Sequence, residues 1–146
     1  MKRKLSWPIF WALIVVFIVL AITIITPTFR GSLFLWVFFS AGAAFFLLGV
    51  ALIFLTVKEK VGGMSKKFLL LTGASAVGLP VFALLHNAIY GLFIHFFGAD
   101  FWDRIGLGDE PFFFILAIFI CPLGFLVGVV GSVVLAIKNK RAKYSS

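Results

Sequence analysis

The chain has 146 residues, of which 63% are apolar and only 12% charged, with a mean hydropathy of +1.20. A soluble domain carries roughly half apolar and about a quarter charged residues, so the composition excludes one and calls for a lipid environment. In a soluble protein the net charge of +8 would point to nucleic acid; here its distribution marks topology, and no nucleic-acid partner is expected.

Lys2, Arg3 and Lys4 precede an apolar run that opens after Pro8 and predicts a first span over 8–26. A secretory signal has an apolar stretch of about 7–15 residues ending at a small-x-small cleavage site. This run is longer and leads into Thr26-Pro27-Thr28-Phe29-Arg30, so it reads as a retained anchor of the ~20 residues that a hydrocarbon core of roughly 30 Å requires. Pro8 falls where a first-turn proline costs no hydrogen bond. Pro27 and Gly31 mark the reversal before a second span over 33–57. The small residues Ser40 to Ala44 in that span predict a helix contact, because association in lipid depends on close van der Waals approach.

The segment Lys58 to Lys67 is a basic loop with Gly62-Gly63 at its centre. A third span over 68–97 follows. It opens on small residues, where Ala74 and Gly78 form a small-xxx-small step, and Pro80 then removes a backbone hydrogen bond and predicts a kink. Beyond Pro80 the segment carries His86, Asn87 and Tyr90. Four residues apart, His86 and Tyr90 share one helix face with Asn87 beside them, which gives a candidate intramembrane polar site. His95 falls near the opposite side and is expected at the outer interface with Phe96, Phe97, Phe101 and Trp102.

All but one of the acidic residues lie between Ala99 and Glu110: Asp100, Asp103, Asp109 and Glu110. Asp109 and Glu110 are placed to cap the N-terminus of a fourth span over 111–137, and the aromatic-charged mixture near 99–107 predicts a short helix on the membrane surface. In the fourth span Gly124, Gly128 and Ser132 repeat at four-residue spacing, a packing stripe. Pro122 predicts a second kink, and the single cysteine, Cys121, permits no intrachain disulfide. Trp7, Trp11, Trp36 and Trp102 fall near span ends, as aromatic belts do.

Of the 13 basic residues, only Arg30 and Arg104 fall in the first and third connections. The rest occupy the two termini and the middle loop. By the positive-inside rule, both termini are expected in the cytoplasm. The expectation is therefore an all-α membrane protein, a four-helix antiparallel bundle in one domain over 1–146, in the plasma membrane.

With two histidines on different sides of one helix, no metal or cofactor is expected. The spans contain no carboxylate for a proton-coupled exporter and no cysteine pair for thiol oxidation, and no enzymatic motif is legible. The leading reading is a non-enzymatic accessory, assembly or self-associating component whose partners are the bilayer and a second copy or another membrane protein. The alternative is a binder or carrier of a small lipophilic ligand or proton through His86, Asn87 and Tyr90.

Overall fold

The computed structural model describes residues 5–26 and 32–144. The basic tail Lys2–Lys4 and the Pro27–Gly31 reversal lie outside the described residues. Among them the chain is helical with no strand: α1 (Ser6–Ile25), α2 (Ser32–Lys58), α3 (Gly63–Phe97), the four-residue α4 (Phe101–Arg104), α5 (Pro111–Ile115) and α6 (Cys121–Tyr144). One π-helical turn, Leu116–Ile120, joins α5 to α6. Four stretches are long and apolar enough to cross a membrane: Ser6–Ile25, Leu35–Lys58, Gly63–Phe97 and Pro111–Ala142. No more than 28% of any of them is buried inside the protein. Their outward faces are therefore apolar, as contact with hydrocarbon demands, and the chain has the make-up of an integral membrane protein.

Two helices are longer than the hydropathy predicts. α3 starts at Gly63, five residues before the expected Phe68, and α6 runs to Tyr144, beyond the expected 137. Helix formation continues past the apolar run in both cases, because Lys and Arg are good helix formers and their long stems suit a helix end facing water.

The helices pack in sequence, α1 on α2, α2 on α3 and α3 on α6. A ring cluster ties them together: Phe17 of α1 stacks on Phe125 of α6 at 4.6 Å, and Phe45 of α2 lies 5.2 Å from Phe125. Phe10, Leu13, Leu52 and Leu69 extend this core. α2 and α3 meet where neither has a side chain: a Cβ on Gly49 would lie 3.0 Å from Ala76 Cβ, and one on Gly73 would lie 2.7 Å from Ile53 Cγ1. Gly73, not Ala74, makes this approach. Ala74 is exposed, one step of about 100° around the helix.

The α3–α6 seam is tighter. A Cβ on Gly128 would lie 2.4 Å from Thr72 Oγ1 and 2.8 Å from Thr72 N, while one on Gly124 would lie 2.6 Å from Ser75 Oγ. Gly131 faces the Phe68 ring and Gly78 faces Cys121 Sγ. Ser132 is buried beside this stripe, and its hydroxyl has no hydrogen-bond partner. Partner numbers fall as α3 is followed, from Gly131 opposite Phe68 to Cys121 opposite Gly78.

α3 passes through Pro80 as one continuous helix. Pro122 is accommodated differently. It has no N–H to give and would press on the carbonyl four residues back; just before it the helix widens, and Cys121 N–H bonds to Leu116 O. The irregularity expected at Pro122 thus takes the form of a π-turn, a common companion of helix distortion.

Candidate functional site

The site is assembled by the connection after α3. Gly98, at φ +97°, ends α3 in a conformation that suits glycine, and its N–H bonds to Ile94 O. Arg104 reaches back to cap the helix, its Nη2 donating to Phe97 O at 2.6 Å. The chain then folds back along α3. Trp102 is buried, donates from Nε1 to Tyr90 O at 3.3 Å, and stacks on the Tyr90 ring at 5.9 Å with an interplanar angle of 9°. Phe93, Phe97 and Phe101 close the cluster.

This return sets Asp109 and Glu110 beside His86. Glu110 is the N-cap of α5: Oε1 accepts from Phe112 N at 2.9 Å and Oε2 accepts from Phe113 N at 3.0 Å. Pro111 occupies the first helical position, where a missing N–H costs nothing. His86 Nδ1 lies 3.0 Å from the Glu110 carbonyl and 3.3 Å from Glu110 Oε2. A carbonyl can only accept, so Nδ1 carries the hydrogen and donates. Asp109 Oδ1 accepts from Glu110 N at 2.7 Å and stands 3.7 Å from His86 Nε2. The His86 ring also packs against Phe114 at 5.6 Å and Tyr90 at 6.4 Å.

Of the three residues singled out by sequence, His86 and Tyr90 share the inward face. Asn87 is exposed and donates from Nδ2 to Ala83 O of its own helix at 2.8 Å. His86 and Asn87 nevertheless line a common hollow of about 220 Å³, with Ala83 on α3 and Phe114, Ala117 and Ile118 opposite. His95 is exposed and takes no part, its ring resting edge-on against Phe96.

Sequence reasoning gives Asp109 and Glu110 their capping role but not His86 as their neighbour. The signal that could have found it is register: with Gly124 and Gly128 set against Ser75 and Thr72, the start of α5 falls level with His86. Among the described residues, no group of three His, Cys, Asp or Glu is placed to hold a metal ion. No protein-family model, curated protein or solved structure matches the chain.

Proposed function

We propose that this is a non-enzymatic integral membrane protein that binds a small ligand or a proton at the α5 end of α3, on the outer side of the membrane. In this reading the spans form an antiparallel bundle in the plasma membrane with both termini cytoplasmic, and α4 lies at the outer interface. The orientation rests on the placement of the basic residues. A reporter fused after Ser146 is expected to read as cytoplasmic; an extracytoplasmic signal would reverse the assignment.

The observation that carries the binding reading is the hollow of about 220 Å³ lined by His86 and Asn87, next to two carboxylates in a chain with few acids. Polar groups are costly at membrane depth and mark sites or pathways. Depth follows from register. His86 is level with the first turn of the last span, which sets it near the end of the hydrocarbon region and not at its centre. Purification in mild detergent followed by mass spectrometry of bound small molecules tests the reading: the expected result is a ligand retained by the native chain and lost from His86→Phe. Equal recovery from both would sink it.

A second reading, helix association with another copy, is favoured by a different feature. An open groove of about 530 Å³ runs between α2, α3 and the π-turn and is floored by Ala74, Gly78 and Gly124. Small residues of this kind admit a neighbouring helix backbone. Cross-linking in native membranes is expected to trap a dimer, and monomer alone would discard this reading.

A further inference from the structure

The basic residues on which the topology rests also gather into one surface. Lys58 ends α2, Lys60 lies in the turn that follows, and Lys66 and Lys67 lie near the start of α3. Lys138, Lys140 and Arg141 stand near the end of α6. The α3–α6 seam brings these segments together: Gly124 meets Ser75, Gly128 meets Thr72 and Gly131 meets Phe68. The same register carries α6 past Gly63, the first residue of α3, and sets Lys138 beside the turn that holds Lys60. All of these basic side chains are exposed. The one acid at this end among the described residues, Glu59, is engaged by Leu5 and Ser6 of α1, and the ion pairs printed by the fold all lie at the opposite end of α3. A concentration of like charge that the protein does not neutralise itself attracts an anionic partner.

Depth selects the partner. Val57 directly precedes Lys58 and Ile137 directly precedes Lys138, and both apolar residues are exposed; Leu71, one turn beyond Lys67, is exposed as well. The lipid-facing apolar surface therefore ends where the charges begin. From Lys138 to Arg141 the helix rises only ~4.5 Å, less than the headgroup layer of roughly 5–8 Å on each side of the hydrocarbon core, and long Lys and Arg stems reach into that layer. We infer that this end of the molecule is a binding surface for anionic phospholipid headgroups, whose phosphate oxygens accept from the ammonium and guanidinium groups. A nucleic acid or an acidic protein fits less well, because the charges stand no higher than the headgroups around them. In the topology proposed above the surface faces the cytoplasmic leaflet, where anionic lipids are concentrated. The inference rests on the charges and their depth, so it holds in either orientation.

The test reconstitutes the full-length chain in phosphatidylcholine vesicles and compares spin-labelled phosphatidylglycerol with spin-labelled phosphatidylcholine by the motionally restricted fraction in their electron spin resonance spectra. Phosphatidylglycerol is expected to associate at least about fivefold more strongly, the factor that one Lys or Arg near an anionic surface contributes. Salt at about 1 M, which shortens the screening length to ~3 Å, is expected to bring the two lipids within about twofold. The triple variant Lys138→Gln/Lys140→Gln/Arg141→Gln is expected to weaken the preference at low salt, and Lys66→Gln/Lys67→Gln to weaken it from the α3 side. These positions are exposed, and an unchanged thermal midpoint checks the fold. Equal association of the two lipids with the native chain would overturn the inference, whatever the reporter after Ser146 shows, and so would an undiminished preference in a chain carrying all five substitutions. Release of phosphatidylglycerol by millimolar inorganic phosphate would assign the surface to soluble anions and overturn it too.

Discussion

The two glutamates of the chain do the same job at opposite ends of α3, with different results. Glu59, in the turn before α3, receives three donors from the start of α1: Leu5 N at 2.5 Å, Ser6 N at 3.3 Å and Ser6 Oγ at 2.7 Å. Glu110 receives the amides at the start of α5 and faces His86 as well. Each carboxylate satisfies N–H groups that a helix start leaves without partners and sits at the positive end of a helix dipole. Glu59 works across more than fifty residues of sequence, and its contacts tie α1 to the turn after α2. Glu110 works locally, but through His86 it ties the last span to α3. At the Glu59 end the bonds to Leu5 and Ser6 serve the tie. At the Glu110 end a ring nitrogen of His86, the oxygen and second N–H of the Asn87 amide and a hollow remain after these bonds are made. Surplus polar capacity, not polarity itself, separates a site from a clasp.

The largest expected effect comes from Glu110→Ala. It leaves the Phe112 and Phe113 amides at the start of α5 without their acceptor and removes one of the two oxygens at His86 Nδ1, for a loss of about 2–3 kcal/mol. Thermal unfolding in detergent would report it. Glu59→Ala is expected to cost somewhat less, about 1–2 kcal/mol, because the Leu5 amide is exposed and can turn to water, which leaves the buried Ser6 donors as the main loss. If Glu59→Ala proves the more damaging, the ranking of the two ends is wrong.

His86→Phe fills the ring position and removes one neutral hydrogen bond, for about 1 kcal/mol. Its double-mutant coupling to Glu110→Ala is expected near 0.5–1 kcal/mol, in the lower part of the range for contacting residues. The Glu110 carbonyl, which is the nearer partner of Nδ1, survives the alanine substitution. A coupling of zero would show that the Glu110 side chain and His86 are independent. Asn87→Leu, at an exposed position, is expected to alter stability by less than about 0.5 kcal/mol, checked by the thermal midpoint.

Much of this fold was legible because lipid imposes simple rules. Continuous apolar runs gave the four long helices, and the Gly124-Gly128 spacing marked a face that α3 does approach closely. Helix ends were less legible: hydropathy stops at the last apolar residue, whereas Lys66, Lys67 and the basic end of α6 keep the helix going. Ala74 was chosen by spacing alone, although the face that meets α2 is fixed by Gly49 and selects Gly73. The site was half legible. Helical periodicity put His86 and Tyr90 together, but Asn87, about 100° away, turns outward. The acidic partners lie 23 and 24 positions on in sequence, and only the folding back of Trp102 onto Tyr90 returns them to His86. No local pattern encodes that return.

The most direct measurement is the ring 15N spectrum of His86 in the His95→Gln chain, without ligand. Donation to the Glu110 carbonyl requires a hydrogen on Nδ1. The expected spectrum therefore shows a hydrogen held on Nδ1, restored to solution-like averaging when Glu110-Pro111 is displaced by inserting two glycines before Asp109. A bare Nδ1, or an averaged ring in the undisturbed chain, would contradict the His86–Glu110 contact on which the site depends.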